Sequence, residues 1–220
     1  MSQVLNIHRL KNNSVNISIF VIWLFHLTAM LGVSIGFEDW FVSKTPINLT
    51  IIFLLLVWSF PNRTWRLGLA IGVFFIGGML FEWLGVHYGL FFGNYEYGNN
   101  LGPKFSGVPY FIGINWVVLT VVTAIIASSI FKNIIARAVL GASLMVFLDF
   151  FLEQSAPIFD FWVFENGIVP INNYIAWFGI ALLFHLIYQR LNLKGSLKFS
   201  YHLYIAQLLF FVYFYGFYNV

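Results

Sequence analysis

The sequence predicts an all-α integral membrane protein with about seven transmembrane helices, built as a single polytopic membrane domain over residues 1–220. Sixty per cent of its 220 residues are hydrophobic and only 9% are charged, whereas a soluble domain carries about 25% charged residues. The mean hydropathy is +0.86. A chain of this composition has too few charged side chains to cover a water-facing surface, so its apolar stretches are expected to face lipid or one another.

Seven apolar stretches approach the 17–25 residues that a membrane-spanning helix needs. They lie at about 17–36, 46–61, 66–87, 108–131, 134–153, 170–189 and 199–218. The first follows His8, Arg9 and Lys11 as a secretory signal would, but its apolar run is too long and no small-residue cleavage site is clear. The second is the weakest, because it is short and Pro61 stops it, so a re-entrant segment is the alternative there.

The basic residues predict the orientation of the chain, because cytoplasmic loops are enriched in Lys and Arg. Nine of them fall in one set of alternate loops, and only Lys44 and Lys104 fall in the other. The nine are Arg9, Lys11, Arg63, Arg66, Lys132, Arg137, Arg190, Lys194 and Lys198. The N-terminus is therefore predicted to be cytoplasmic and the C-terminus external.

Three acidic residues lie inside the predicted spans, where an ionisable group is costly and usually functional. Glu82 lies roughly 24 Å along its helix from Arg66, and Asp149 lies roughly 22 Å along its helix from Ile134, at about 1.5 Å per residue. The two carboxyls are thus expected at similar depth, in the outer half of the membrane. Glu153 follows Asp149 by four residues, so both share one helix face.

Two further spans bring amide and indole side chains to the same depth. The fourth span carries Asn115 and Trp116, and the sixth carries Asn173 and Trp177. Four helices therefore converge on one layer of acids, amides and indoles. This convergence is the main functional prediction from the residues themselves.

Several protein classes are excluded or disfavoured by residue types that the sequence lacks. It has no cysteine, which excludes disulfides, thiolate nucleophiles, and zinc–thiolate or iron–sulfur sites. Its basic residues are scattered singly, so no nucleic-acid partner is expected despite a pI of 9.1. The five histidines are dispersed, unlike the clusters of di-iron oxygenases, and singly are expected to be packed or interfacial residues. The last span has no lysine for a retinal Schiff base, and no metal site is predicted. Polyprenyl transfer is a minor alternative, because no basic residue lies near Asp149-Phe150-Phe151-Leu152-Glu153 to bind phosphates.

The remaining chemistry is proton transfer to a hydrocarbon. Twenty-one per cent of the residues are Phe, Tyr or Trp, more than interfacial anchoring needs, which indicates a long apolar ligand rich in π electrons. A carboxylic acid buried among aromatic rings can stay protonated near neutral pH and can protonate a C=C bond. Aromatic faces stabilise the resulting tertiary carbocation, and a second carboxylate or an Asn can position the water that captures it. No metal or redox cofactor is needed.

Two ordered blocks of residues carry a family resemblance. The first runs from Phe81-Glu82-Trp83-Leu84-Gly85-Val86 through Phe92-Gly93-Asn94-Tyr95-Glu96-Tyr97 and Gly107-Val108-Pro109 to Asn115-Trp116. The second comprises Leu148-Asp149, Glu153, Phe161-Trp162, Asn173-Tyr174 and Trp177-Phe178. Together they resemble the carotenoid biosynthesis protein family, which includes carotenoid 1,2-hydratases such as bisanhydrobacterioruberin hydratase and γ-carotene 1′-hydratase. The chain departs from the family's usual pattern at Gln154, where Pro is usual, and at Phe164, where the second Trp of Trp-x-Trp is usual.

The resemblance implies a cofactor-independent hydratase, a lyase of isoprenoid metabolism in the plasma membrane of a pigmented prokaryote. Water would add across the terminal 1,2 double bond of the ψ end group of an acyclic carotenoid. Asp149 or Glu82 would be the general acid, and the other carboxyl, with Glu153, would orient water. The implied substrate-binding residues are Tyr95, Tyr97, Asn115 and Asn173 at the polar end of the pocket, and Trp83, Trp116, Trp162 and Trp177 around the cation. An interfacial aromatic belt is the alternative for the tryptophans, and packing of an ordered loop is the alternative for the tyrosines.

Two other functions stay open at this stage. A carotenoid cyclase would form the same cation but quench it with an internal alkene, and a non-catalytic membrane subunit would bind carotenoid or lipid. Transport is less favoured, because the inner halves of the spans hold almost no polar residue beyond His26, His185 and Gln207. The expected partners are a carotenoid or polyprenoid hydrocarbon, membrane lipid, and other carotenoid-pathway enzymes.

Overall fold

The computed structural model describes residues 2–218, and the side chains from Asn13 to Tyr218. The described chain is mainly helical. Its helices are α1 (Ser2–Ser34), α2 (Glu38–Val42), α3 (Thr45–Ser59), α4 (Trp65–Tyr88), α5 (Tyr110–Ile130), α6 (Ile134–Ser155), α7 (Ile171–Leu191) and α8 (Leu197–Tyr218). Its strands are β1 (Tyr95–Tyr97), β2 (Lys104–Phe105), β3 (Val108–Pro109) and β4 (Trp162–Phe164), and a 3₁₀ turn covers Glu165–Gly167.

Six helices of the described chain are long and apolar enough to cross a membrane, which confirms an all-α membrane protein. They are Asn13–Ser34 within α1, together with α4, α5, α6, α7 and α8. The second predicted span corresponds to α3, which has only 15 residues and a length of about 22 Å, less than the ~30 Å hydrocarbon core. Pro46 lies in its first turn, and the helix ends at Ser59 before Pro61. The expectation that this stretch is the weakest span is confirmed.

The first and last helices run in the same direction. Side-chain hydrogen bonds join them in the same order along both sequences, from Asn16–Lys198 and Trp23–His202 to Ser34–Tyr213. Tyr218 at the end of α8 then donates to Glu38, at the start of α2. Because α1 and α8 are parallel, the number of helices that cross the bundle from α1 to α8 is odd. The short helix α3 must therefore cross it as well.

The charged residues separate between the two ends of the bundle. One end, the basic end, contains the starts of α1 and α8 and the connections after α3, α5 and α7. The basic residues described there are Arg63, Arg66, Lys132, Arg137, Arg190, Lys194 and Lys198. The other end, the loop end, contains α2 and all four strands. Arg9 and Lys11 lie outside the residues whose side chains are described, and a cytoplasmic location of the basic end stays a prediction.

Helix α5 is the centre of the bundle. It is buried over most of its length, whereas less than half of each of the other five long spans is buried. Small residues let neighbours approach it, and Gly78 of α4 packs directly against the Trp116 ring. His185 of α7 is fully buried against Gly141, with its ring nitrogens bonded to Thr123 and to the Ala181 carbonyl. It is a packed core histidine, as the sequence predicts for the histidines singly.

A two-stranded antiparallel sheet covers the loop end. Strand β1 pairs with β4 in the register Tyr95–Phe164, Glu96–Val163 and Tyr97–Trp162. Successive strand side chains point to opposite faces, so Glu96 and Val163 are exposed while the four aromatic residues face the bundle. The apolar pattern of the sequence predicts helices alone. This sheet, the β2–β3 hairpin and α2 are not predicted, because each is very short and has little periodicity of its own.

Candidate active site

The first buried carboxyl, Glu82 of α4, accepts three hydrogen bonds. The hydroxyls of Tyr95 and Tyr97 donate to its Oε2 atom over 2.6 and 2.7 Å. The indole nitrogen of Trp116 donates to its Oε1 atom over 2.9 Å. The side chain is only 3% exposed. These three protein donors, which form a donor shell, therefore take the place of water around the carboxyl. Hydrogen bonds of this kind offset part of the cost of burying a charged carboxyl, whereas burial itself favours the neutral form.

Two local features bring the tyrosines to Glu82. Alternation along β1 turns both Tyr95 and Tyr97 towards the bundle. Gly85, about one turn after Glu82, leaves room for Tyr95, because a β-carbon there would lie 2.8 Å from the tyrosine hydroxyl. The site is thus built by a helix and a strand that the chain joins through only a short connection.

The second carboxyl, Glu153 of α6, is held by residues of the other half of the site. Its Oε2 atom accepts from the indole nitrogen of Trp162, and its Oε1 atom accepts from the amide of Asn173, each over 2.7 Å. Trp162 is on β4, so the β1–β4 sheet supplies donors to both Glu82 and Glu153. The sheet therefore couples the two halves of the site.

The third carboxyl, Asp149, differs from the other two. It lies one turn before Glu153 on α6 and is only 2% exposed. Its Oδ2 atom has no hydrogen-bond partner in the described structure, while its carboxyl interacts with the Asn173 amide and with the charges of Glu153 and Glu82. A buried polar atom without a partner is rare in native proteins and points to a chemical role.

The three carboxyls form a cluster without a counter-charge. Among residues 13–218, no basic side chain interacts with any of them, and no group of ligands suited to a metal ion is found. Three ionised carboxylates buried together would repel one another strongly and would lose their solvation. Ionisation of all three carboxyls at once is therefore unfavourable.

The tyrosines of β1 stay neutral donors. Burial raises the pKa of the Tyr95 and Tyr97 hydroxyls well above the ordinary value, and the negative charge of Glu82 raises it further. Both rings are therefore protonated at any physiological pH. Their role towards Glu82 is to donate hydrogen bonds, not protons.

The aromatic residues form a wall beside the cluster. The rings of Trp116 and Trp177 stack at 4.0 Å with an angle of 13° between their planes, and Phe184 meets Trp116 edge-on at 5.6 Å. One face of Trp116 is thus covered by Trp177. Tyr97 packs edge-on against Trp162 at 6.0 Å and closes the wall under the sheet.

Two cavities adjoin the cluster. The small one, of about 10 Å³, is lined by Glu82, Glu153, Tyr95, Tyr97, Asn173 and Trp177 among others. The large one, of about 620 Å³, lies among α1, α3, α5, α6 and α8 and is lined mainly by apolar side chains. Ile112 and Trp162 line both cavities, so they form the shared wall.

Asp149 itself lines neither cavity, but it shares a turn of α6 with residues that line each of them. Its neighbours Leu148 and Leu152 line the large cavity, whereas Glu153 lines the small one. A ligand in the large cavity would therefore lie against the helix turn that carries the unpartnered carboxyl.

The structure brings most of the predicted site residues together. Glu82, Tyr95, Tyr97 and Trp116 form one group, and Asp149, Glu153, Trp162 and Asn173 form the adjoining group, with Trp177 between them. Asn115 lines the large cavity instead. The contacts of Trp83 lie elsewhere, since its indole donates to Ser106 and its ring packs on His87.

Several lining residues were not predicted from the sequence. Phe92 and Phe164 line the small cavity, and Trp40 and Asn48 line the large one. The alternation of Trp162-Val163-Phe164 could have indicated that Phe164 shares a face with Trp162. The chain has Phe164 where the family pattern usually has Trp, and this ring packs against Tyr95 at 5.4 Å.

Removing the Tyr97 hydroxyl tests whether the donor shell stabilises the fold. We expect Tyr97→Phe to lower the free energy of unfolding by about 1–3 kcal/mol, because the buried Glu82 carboxyl loses one of its three donors. Thermal unfolding in detergent measures the effect. Tyr110→Phe is the matched control, since Tyr110 is an exposed tyrosine at the same end of the bundle. Equal stability of the two variants would contradict the role of the shell.

Comparison with known proteins agrees with the resemblance in the two sequence blocks. A family model described as carotenoid biosynthesis protein matches residues 44–220, which include α3 to α8, the four strands and all three carboxyls. No curated protein and no solved structure matches the chain.

Proposed function

The chain belongs to the carotenoid biosynthesis protein family, and from that premise we propose that it is a carotenoid hydratase. It adds water across the terminal 1,2 double bond of an acyclic carotenoid end group and gives a tertiary alcohol. The single observation that carries this proposal is Asp149, a buried carboxyl with an unpartnered oxygen, on a turn of α6 whose Leu148 and Leu152 line a large apolar cavity.

Asp149 is the general acid in this proposal. Of the three carboxyls it has the poorest set of hydrogen-bond donors, so it is the one that holds a proton. Its proton goes to the less substituted carbon of the terminal double bond, where a C–H bond forms at the expense of the π bond. The more substituted carbon becomes a tertiary carbocation, and Asp149 becomes a carboxylate.

Glu82 supplies the fixed negative charge. In its ionised form it is held in place by three donors, and preorganised charge of this kind stabilises a developing cation without reorganisation during the reaction. The rings around the cluster add the attraction of their π faces for a cation. Trp177 is the best placed of them, since it lines the small cavity together with Glu82 and Glu153.

Glu153 and Asn173 position the water. Both line the small cavity, and a hydrogen bond already joins them. The water oxygen bonds to the cationic carbon and then loses a proton to Glu153. That proton returns to Asp149, one helical turn away on the same face, so each cycle consumes one alkene and one water and yields one alcohol.

The large cavity suits the hydrocarbon chain of the substrate. Its walls are mainly apolar, and exposed side chains at its rim include Leu24 of α1 and Ile47 of α3. Both residues are exposed on apolar helices, so the cavity is proposed to be open to lipid at these side chains. A carotenoid dissolved in the bilayer enters by this route without crossing water.

The proposed activity is tested by the mass of the product. We expect cells that make lycopene and express this protein to accumulate a pigment heavier by one water, which mass spectrometry of the extract detects. Cells with the empty vector are the control. An isomer of unchanged mass would contradict hydration and indicate cyclisation, and unchanged pigment with lycopene and also with a one-end-cyclised carotenoid as substrate would indicate a non-catalytic subunit.

A further inference from the structure

The large cavity has a polar group at mid-membrane depth that the proposed reaction does not use. Gln207 of α8 lines this cavity, is only 6% exposed, and its Oε1 atom has no hydrogen-bond partner. It lies near the middle of α8, ten residues after Leu197 and eleven before Tyr218. A buried amide without a partner is costly in the absence of a ligand, because its desolvation is not compensated.

His26 of α1 lines the same cavity and adds a second acceptor. Its Nδ1 atom lies 2.8 Å from the carbonyl oxygen of Ile22. Since a carbonyl only accepts hydrogen bonds, the proton of the neutral ring is on Nδ1, and Nε2 is left as an acceptor. The ring is 5% exposed and packs edge-on against Phe210, one turn after Gln207 on α8.

Asn48 of α3 is another cavity residue with an unpartnered amide oxygen, and it lies nearer the loop end. Its Oδ1 atom is also buried without a partner, and the residue lines the same cavity. Three helices thus place polar side chains in a cavity whose other walls are mainly apolar. A pure hydrocarbon in the cavity would form no hydrogen bond with any of these three side chains.

We propose that Gln207 and His26 bind the hydroxyl group of a linear isoprenoid alcohol, so that the ligand of this cavity carries an oxygen remote from the reacting double bond. The inference rests on the proposed function for the isoprenoid nature of the occupant. A hydroxyl has one hydrogen, which it donates to Oε1 of Gln207 or to Nε2 of His26, and its oxygen accepts from the Gln207 amide. A ketone or ether oxygen only accepts, so it would leave both Oε1 of Gln207 and Nε2 of His26 unpaired, whereas a hydroxyl pairs one of the two.

The pair lies deeper in the membrane than the carboxyl cluster. At about 1.5 Å per residue, Gln207 is roughly 16 Å from the loop end of α8, and Asp149 is roughly 9 Å from the loop end of α6. The hydroxyl is therefore bound about 7 Å deeper than the acid. Gln207 and His26 select the ligand by an oxygen that it already carries, while the cluster acts on its double bond.

Ligand binding to the purified protein tests the inference without any turnover. The probes are geranylgeraniol and the hydrocarbon with the same chain but without the hydroxyl, titrated in detergent and followed by intrinsic tryptophan fluorescence, since Trp40 and Trp162 line the cavity. We expect the wild type to bind the alcohol about tenfold more tightly than the hydrocarbon, the effect of roughly one hydrogen bond. Gln207→Met removes the amide at nearly constant shape, and we expect it to lower the affinity for the alcohol about tenfold and to leave that for the hydrocarbon unchanged.

Two further variants keep the test decisive. Phe211→Leu is the matched control, because it alters the same wall without removing a polar group, and it is expected to change the affinities for both probes alike. If Gln207→Met does not fold, His26→Phe replaces it and is expected to reduce the preference for the alcohol. Equal affinity of the wild type for the two probes, or an undiminished preference in the folded variant, would overturn the inference and leave the polar pair as a water site. Either result is independent of the product mass, which tests hydration itself.

Discussion

Replacing Asp149 by Asn is expected to abolish formation of the hydrated pigment while the protein still accumulates in the membrane. The proposed general acid is lost in this variant, and proton transfer by a positioned side chain contributes roughly 10²–10⁴-fold to a rate. The fold is expected to persist, because Asn has the shape of Asp and places no charge in a buried site where the carboxyl oxygen has no partner. The measurement is the ratio of hydrated to unreacted pigment at equal protein level.

The matched control for this variant is Glu96→Gln. Glu96 is on β1 between the two tyrosines, but it faces outward and is exposed. The same chemical change there is expected to leave the product ratio within about twofold of the wild type, as for an ordinary surface substitution. A fully active Asp149→Asn variant would remove Asp149 from the mechanism and return the role of acid to Glu82.

A structural role for Asp149 predicts a different pattern of results. If its carboxyl only maintained packing, Asp149→Asn would lower protein level or thermal stability together with activity. A general acid predicts loss of product at unchanged stability, with unreacted carotenoid still bound in the cavity. Unreacted pigment that copurifies with a stable variant would therefore indicate a general acid and not a structural role.

The helical part of the fold could be predicted from the sequence because lipid requires long apolar runs. The bounds predicted for the third and sixth spans, 66–87 and 170–189, lie within two residues of α4 and α7. The fourth span was predicted to begin at residue 108, yet α5 begins at Tyr110, because Val108 and Pro109 form β3. Hydropathy does not distinguish an apolar strand residue from the first turn of an apolar helix.

The depth of the buried acids could also be predicted from the sequence, but their hydrogen-bond donors could not. A constant rise per residue places Glu82 and Asp149 at one level whatever the packing. Which donors face them depends on the pairing of β1 with β4, residues 95–97 with residues 162–164, and no local pattern encodes a contact between segments so far apart in sequence. For this reason the sequence does not tell which of Glu82 and Asp149 is the acid, whereas in the structure their hydrogen bonds differ clearly.

Trp83 illustrates the limit of arguing from residue type. It is adjacent to Glu82 in the sequence, and its expected role was to cradle the cation. Adjacent residues on a helix point about 100° apart, since a turn takes 3.6 residues. When Glu82 faces the cluster, Trp83 turns towards Ser106 and His87 instead.

The difference between Glu82 and Asp149 fits the two tasks proposed for them within one cluster. Glu82 has three donors and Asp149 has an unpartnered oxygen. A carboxyl held by donors is suited to remain charged, and a carboxyl without them is suited to hold and release a proton. Two acids with such different surroundings can serve as acid and as electrostatic stabiliser in the same site.

Glu82→Gln is expected to lower hydration roughly 10²–10³-fold with little change in thermal stability, because it removes the fixed charge but not the shape. Gln can keep the present network. Its oxygen accepts from Trp116, which can only donate, and its amide donates to Tyr95 and Tyr97, whose hydroxyls can rotate to accept. The product ratio in pigmented cells and thermal unfolding in detergent measure the two effects.

A comparison with Glu82→Leu separates charge from hydrogen bonding. Leu leaves Trp116, Tyr95 and Tyr97 without their acceptor, so this variant is expected to lose stability by several times the roughly 1–3 kcal/mol of one unsatisfied buried group. Glu82→Gln and Glu82→Leu both lack the charge, but only the first satisfies the donors. If Glu82→Gln were as active as the wild type, the charge would have no part in stabilising the cation, and the aromatic wall would have to do so alone. If it were as unstable as Glu82→Leu, the buried network would depend on a carboxylate for its structure, and its loss of activity would say nothing about catalysis.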